Sequence, residues 1–450
     1  MAIKEFDVFV IGTGTAGKTV AFAAAEAGKK VAIADDREFG GTCANRGCDP
    51  KKVIVGITEL LNSAKNLQDF GVSEIPKLNW KEMIAFKKTF TDPVPYVHEN
   101  NLKKQGIELY HQSPIFVDKN TLSVEGKTVK AKKIIIATGE KQSELKIPGG
   151  EYALTSDDFM ELEQLPESML FIGGGYIGME LSHIAARMGV KVTVVHAHER
   201  PLKRFDKDMV DELTDTSKEL GIKFIFNARV NEIEKGKDAF YVLADRKGKK
   251  VKEKAEMVFN AAGRKASIDN LSLDKGGVSF TKGGVTVNDK LQNPDNKNVF
   301  ACGDVADSPG RSLSPLSSFE AKIVVSQLFD KNPKTISYPV QPSVVFTLPN
   351  LAMVGMTEDE AEKKGIDFNV KKGDAGKWYN AKRTKALAYA FKTIKEKESD
   401  RIIGTHIIGP QAAEVVNLFA MAINNKMTPQ DLKEMIFAYP TWASDIQSMI

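Results

Sequence analysis

Two cysteines, Cys43 and Cys48, stand four residues apart in the stretch Gly-Gly-Thr-Cys-Ala-Asn-Arg-Gly-Cys-Asp-Pro-Lys-Lys. Thiols at this spacing can close a small disulfide ring, and a cysteine at a helix N-terminus is favoured as a thiolate. Only one other cysteine, Cys302, is present, so the chain is not a disulfide-stapled secreted scaffold. The close pair reads as redox-active. The alternative, two thiols packed as small apolar groups, sits poorly with the glycine-rich flanks.

A redox pair needs a scaffold that brings a partner to it, and this chain repeats one scaffold element. Residues 6–11 form an apolar run followed by Gly12, Gly14 and Gly17 in the order GxGxxG. An alanine-rich helix ending near Gly28 and a second apolar run over 31–34 come next. The same order returns with a strand over 169–172, then Gly173, Gly175 and Gly178, a helix to about Met188 and a strand over 192–195. Each copy has the strand, glycine turn, helix and strand order of a dinucleotide-binding unit. The first glycine makes the turn, the second admits a pyrophosphate, and the third lets helix and strand pack. Phosphate then rests on the free N–H groups of the helix N-terminus.

The ends of the second strands distinguish the copies. Asp35 lies 23 positions after Gly12, where a carboxylate accepts from a ribose hydroxyl. In the second copy that place holds His196, followed by His198, Glu199, Arg200, Lys203 and Arg204. Cations at a strand end that carries no acid suit a 2′-phosphate, so NADPH is preferred over NADH.

Composition bounds the rest. The 450 residues are enough for about three domains. Hydrophobic and charged contents of 42% and 27% are those of an ordinary globular protein. The net charge of +4 is spread without a basic stripe, which argues against a nucleic-acid partner. No run of about 18 apolar residues is free of charge, and the first residues lead straight into a strand. We therefore expect no membrane span, no leader and a cytoplasmic protein. A helical region over 53–105 and a β-rich stretch ending in Thr138-Gly139 separate the copies. Gly263-Arg264 and Gly303-Asp304 follow the second, and from about Tyr338 alternating strands with two helices suggest an α+β domain.

The cysteine motif between two dinucleotide fingerprints, with Ala-Thr-Gly and Gly-Asp segments so placed, resembles the pyridine nucleotide–disulfide oxidoreductases. The resemblance covers nearly the whole chain, including 343–349 and 354–358 at the start of that family's dimerisation domain. It implies an α/β fold with two Rossmann-like domains and a C-terminal α+β dimerisation domain. Residues 1–145 with 265–337 would bind FAD, 146–264 NAD(P)H, and 338–450 would pair two copies into a homodimer. Gly41, Thr42, Thr138, Gly139, Gly263, Arg264 and Gly303 would line the cofactor sites, with Asp304 on the ribityl chain and Asp35 on the adenosine ribose. Lys51 falls at the family's lysine near the flavin, Glu180 at its ion-pair partner, and Tyr176 at the aromatic cover of the flavin. The implied route runs from nicotinamide through the flavin to Cys48, which rests as a thiolate while Cys43 exchanges with an acceptor.

Departures from the pattern narrow the acceptor. Disulfide-reducing members carry a C-terminal histidine–glutamate pair that protonates the leaving thiol. Here Tyr439 and Ser444 occupy those places. General acid–base catalysis is worth about 10²–10⁴-fold, so another group must substitute: Tyr439 itself, Asp445 or His98. Phe22 and Gln327 fall where arginines would hold glutathione carboxylates, which argues against glutathione. Mercuric reductase also has tyrosine at the histidine position. This chain lacks the C-terminal cysteine pair and the extra metal domain of those enzymes, so specific mercury reduction is not expected. Asp49 stands where the motif normally has an apolar residue, and pointed at the Cys48 sulfur it would raise the thiolate pKa. The expectation is an NAD(P)H-dependent flavoenzyme reducing a small-molecule disulfide other than glutathione. Alternatives are a flavin-level reductase of quinones or metal ions, and a redox-sensing flavoprotein.

Overall fold

The computed structural model describes residues 3–450. The chain divides into two compact units. One comprises the residues up to Lys51 with Ala85–Ser143 and Arg264–Tyr338; the other comprises Lys52–Ile84, Glu144–Gly263 and Pro339–Ile450. Residues 52–84, which motif order alone places with the first nucleotide unit, group with the second.

In the first unit, β1 (Lys4–Ile11) runs into α1 (Thr15–Glu26) and then β2 (Val31–Ala34). β1 lies between β2 and the strand Lys127–Ile136, parallel to both, with Val8 opposite Val31 on one side and Lys133 on the other. The far end of β1 is buried on both faces, which is why it reads as a continuous apolar run rather than an alternation. The buried face of α1 is Ala16, Gly17, Val20, Ala21 and Ala24. The alanines and Val20 share a core with Ala321, Ile323 and Val324 of the helix Ser314–Phe329.

Two helices follow β2. α2 (Gly41–Arg46) carries Cys43, and after the single residue Gly47, α3 (Cys48–Asn66) begins on Cys48 itself. The expected helical region therefore starts earlier than residue 53, at the second cysteine. Pro50 sits in the first turn of α3, where its missing N–H leaves no bond unmade, and Asp49 there complements the helix dipole. Helices Trp80–Thr91 and Val94–Lys104 complete the region.

In the second unit, the strands Lys223–Ile225, Lys191–Val195, Ser168–Ile172 and Met257–Asn260 form a parallel sheet in that order. The helix Tyr176–Arg187 follows the second glycine turn. A three-stranded antiparallel sheet (Ala228–Lys235, Phe240–Arg246, Lys249–Ala255) is inserted before the last strand. C-terminally, five antiparallel strands run in the order Ser343–Val345, Asn350–Gly355, Ile402–Gly409, Ala390–Glu396, Phe368–Asp374. They share a core with the helix Ala412–Asn424. This region holds five α-helices rather than the expected two: besides Ala412–Asn424, the helices Glu358–Lys363, Tyr379–Thr384, Pro429–Lys433 and Ile446–Met449 are too short for a periodicity reading. Among the described residues, no helix is long and apolar enough to cross a membrane.

Candidate functional site

The cysteine pair lies where α2 gives way to α3. Both thiols are free; Cys43 is half-buried and Cys48 exposed at the start of α3. The Cys48 sulfur is 3.4 Å from Ser314 Oγ, at the start of the helix Ser314–Phe329. Its pKa is lowered to about 6, first by a hydrogen bond from Cys43, then by Ser314 and by the Lys51 ammonium one turn along; desolvation and Asp49 oppose this. Cys43 is pushed the other way, because its proton is held by the Cys48 sulfur and burial disfavours its charge. One sulfur is thus stored as thiolate and the other as thiol. In the reduced protein, one thiolate should titrate with a midpoint near pH 6. Ultraviolet thiolate absorbance, compared with Cys48→Ser, measures it. Lowering the pH through 6 should extinguish the signal, and a midpoint at or above the ordinary thiol value of about 8.5 would contradict it.

Asp49 acts on both sulfurs, its charge raising the pKa of each. Its Oδ1 is 3.9 Å from the Cys43 sulfur. Lys18 of α1 faces the same two groups: its partly buried ammonium is lowered by desolvation and supported by the charges of Cys43 and Asp49. His98, on the helix Val94–Lys104, packs beside Gly40 and is lowered by burial and then by Lys18.

The first fingerprint has the geometry of a cradle. A Cβ on Gly12 would lie 2.3 Å from the Ala137 carbonyl oxygen, and one on Gly17 would lie 1.9 Å from the Gly12 oxygen. Protein contacts therefore explain those two glycines. A Cβ on Gly14 would meet no protein atom nearer than 3.9 Å, and no side chain caps the N-terminus of α1 beside it. The space there is kept clear for something other than protein, as a pyrophosphate on the helix N-terminus requires. Gly41 closes one side: its φ is +78°, and a Cβ would come within 2.4 Å of Gly14 Cα. Thr42 is exposed on the next position of α2. Asp35 Oδ2 accepts from the Thr13 N–H and hydroxyl at 2.8 and 2.6 Å, which aims the carboxyl at the turn; burial raises its pKa.

Further polar groups lie in this unit. The Thr138 hydroxyl, just before Gly139, is buried without a partner, an orphan that a bound molecule would satisfy. Asp304, after Gly303, is raised to about 6 by burial and the nearby Glu140 charge, against the pull of Arg264. Arg264 donates to the Glu140 carbonyl. Gly263 precedes it with a φ of +127°. These residues fit a flavin dinucleotide.

The second fingerprint repeats the first. Gly173 and Gly178 are forced by the Ala261 and Gly173 carbonyls, and Gly175 faces open space at the uncapped start of Tyr176–Arg187. His196 is held by the second glycine turn. Its Nδ1 accepts from the Gly174 N–H at 3.0 Å, and burial followed by the His198 charge lowers its pKa, so it is neutral. Arg200 is also committed, donating to the carbonyls of Phe205 and Lys203. Lys203 and Arg204 are exposed. Tyr176 stacks edge-on against Phe205, and Glu180 accepts from the Phe346 N–H at 2.8 Å.

The C-terminal candidates for acid–base work separate. Tyr439 is 76% exposed, with its ring 6.3 Å from that of Tyr379. Asp445 accepts from Tyr389 Oη at 3.0 Å and from Asn380, so it pins the chain end to its own sheet. Ser444 donates to the Thr441 carbonyl. Phe22 packs on the core, and the Gln327 amide donates to the Lys334 carbonyl, so neither offers charge to a carboxylate. The residue that composition and spacing underrated is Lys18, whose only sequence signal is a cation directly after a fingerprint glycine.

Two dinucleotide cradles and a polarised dithiol define a pyridine-nucleotide redox enzyme. The chain belongs to the pyridine nucleotide-disulphide oxidoreductase family, which residues 6–323 match; residues 341–450 match that family's dimerisation domain, which indicates a homodimer. Members of the family work with FAD and NAD(P)H. The chain is 31% identical to the dihydrolipoyl dehydrogenase of Bacillus subtilis (strain 168), over 98% of this chain and 96% of that one. It is 29% identical to a mercuric reductase of Bacillus cereus, over 98% of this chain and 70% of that one. The HOCl-induced flavoprotein disulfide reductase RclA from Escherichia coli superposes with a TM-score of 0.88 at 25% identity, covering 98% of this chain and 99% of RclA.

Proposed function

We propose that this chain is an NADPH-preferring enzyme that reduces a small-molecule disulfide other than glutathione through the Cys43–Cys48 couple. The observation that carries the reading is the polarised pair: Cys48 held as thiolate on the first residue of α3, Cys43 held as thiol beside it.

Residues 1–145 with 265–337 are assigned to FAD, 146–264 to NADPH and 338–450 to the contact between two copies. FAD, when bound, supplies the two-electron path from nicotinamide to the disulfide. The chain's residues do the rest. Gly12, Gly14, Gly17, Gly41 and Thr42 shape the first cradle, and Asp35, Thr138, Gly139, Gly303 and Asp304 hold its polar groups. Gly173, Gly175 and Gly178 shape the second, with Lys203 set for a 2′-phosphate and neutral His196 orienting the turn. Tyr176 is assigned to the nicotinamide side as its aromatic cover, and Lys51 and Glu180 to fixing charge for the flavin. Cys43 attacks the acceptor, and Cys48 displaces the product from Cys43. A cytoplasmic setting suits a couple that must be re-reduced at every turnover.

A second reading, electron delivery to metal ions, draws on the names of relatives. RclA has also been solved as a Cu(II) complex, and one relative is a mercuric reductase. Among the described residues, however, no cluster of three or more His, Cys, Asp or Glu is placed to hold a metal.

Anaerobic stopped flow separates these. Enzyme reduced with NADPH should reoxidise with small disulfides faster than with quinones or Cu(II), and NADPH should reduce it at least about tenfold more efficiently than NADH. That factor corresponds to one phosphate contact of roughly 1.4 kcal/mol. Preference for NADH would overturn the role of Lys203, and reoxidation by quinones or Cu(II) alone would overturn the disulfide reading.

A further inference from the structure

We propose that Asp49 is the acid–base partner of Cys43, taking the place of the family's missing C-terminal pair. The inference rests on the disulfide-reductase reading and names the group that moves the proton in it.

Three observations converge. Asp49 is next to Cys48 in sequence, yet its carboxylate lies at the Cys43 sulfur, 3.9 Å away, within reach of an S–H donor. Two of the other candidates, Asp445 and Tyr439, are engaged within the other unit. Asp445 is held by Tyr389 and Asn380, and Tyr439 is exposed with its ring beside that of Tyr379. Finally, the Lys18 ammonium on α1 interacts electrostatically with both Cys43 and Asp49. The charged groups around Asp49 are thus Lys18 on α1, Cys43 on α2, and Cys48 and Lys51 on its own helix. His98 of Val94–Lys104 is in turn lowered by burial and by the Lys18 charge.

The step balances with these groups alone. Asp49 takes the proton of Cys43 as the sulfur attacks an acceptor disulfide RS–SR. The RS–SR bond breaks, a Cys43–SR bond forms, and the departing RS⁻ takes that proton back from Asp49 as RSH. The Cys48 thiolate then attacks the Cys43 sulfur, forming the Cys43–Cys48 disulfide and expelling a second RS⁻, which is protonated from solvent. Two electrons leave the dithiol and two thiols are made. A leaving group that is stable as a thiolate needs no proton, so the dependence on Asp49 should follow the leaving thiol's pKa.

The test uses the holoenzyme reduced anaerobically with NADPH. Asp49→Asn should slow reoxidation by 2-hydroxyethyl disulfide, whose thiols are weakly acidic, about 10²-fold. Reoxidation by dithiobis(nitrobenzoate), whose thiolate leaves unaided, should lose only the smaller factor by which alkylation of Cys43 slows, since it forfeits the base but needs no acid. Asp49→Glu should recover part of the loss. Alkylation of Cys43 by iodoacetamide, read by mass spectrometry across the neutral pH range, should also be slower in Asp49→Asn, a readout in which no acceptor disulfide takes part. Equal losses on both disulfides, or no loss on either with unchanged alkylation, would overturn the proposal. Failure of wild-type enzyme to reoxidise with any disulfide would instead remove the underlying reading, and the alkylation arm keeps the two failures apart.

Discussion

Replacing Cys43 with serine is expected to abolish disulfide reduction, by more than about 10³-fold, while NADPH still reduces the bound flavin. The loss follows from the division of labour between the two sulfurs. Only a thiolate attacks a disulfide at a useful rate, and a serine hydroxyl at the same place is neither acidic nor nucleophilic enough to replace it. In the proposed route Cys48 cannot take over, because it is assigned to displace product from Cys43. The substitution should also shift Cys48 upward, since the hydrogen bond from Cys43 is the largest cause of its lowered pKa. The introduced hydroxyl restores part of that bond, so the Cys48 midpoint should rise modestly from about 6. Steady-state turnover with disulfides, set against turnover with quinones, measures the effect. Disulfide turnover that survives Cys43→Ser would remove Cys43 from the mechanism, and loss of disulfide turnover with quinone turnover intact would place quinone reduction upstream of the thiols.

The largest expected effect on stability lies far from the thiols in sequence and has no sequence signature. Lys392, in the strand Ala390–Glu396, has only 3% of its side chain exposed and meets Asp206 at 2.8 Å, Asp208 at 2.9 Å and Glu358 at 2.5 Å. Asp206 is itself buried and caps the helix Lys207–Glu219 by accepting from the Asp208 and Met209 N–H groups. Lys392→Met keeps the volume and removes the charge, leaving a buried carboxylate without its cation. Breaking one side of a buried ion pair costs about 3–5 kcal/mol, and a fall in Tm of roughly 3–5 °C should follow for a chain of this length. Adding Asp206→Asn should recover part of the loss by removing the stranded charge. An unchanged Tm in Lys392→Met would mean that the cluster is solvated well enough to need no cation.

How far the chain could be read without its fold differs from one feature to the next. The glycine fingerprints and the strands before them were legible because they are local: a turn, a helix start and a buried parallel strand each leave a signature within about 30 residues. The three-stranded insert and the short helices of the last domain were not, because such short elements carry too few periods to register. His196 shows a subtler limit. Its position at a strand end was readable, but its neutrality depends on the Gly174 N–H and on burial, and neither is visible along the chain.

The chemistry around the thiols divides in the same way. The residue types and spacing of Cys43 and Cys48, the absence of the histidine–glutamate pair and the oddity of Asp49 are properties of the sequence by itself, and they were enough to indicate the reaction class. That Asp49 comes within 3.9 Å of the Cys43 sulfur, that Lys18 interacts with both, and that Lys392 lies among three carboxylates were decided only by tertiary structure. The physical reason is that electrostatic partnership falls off over a few ångströms, and chain order does not encode which distant residues come that close.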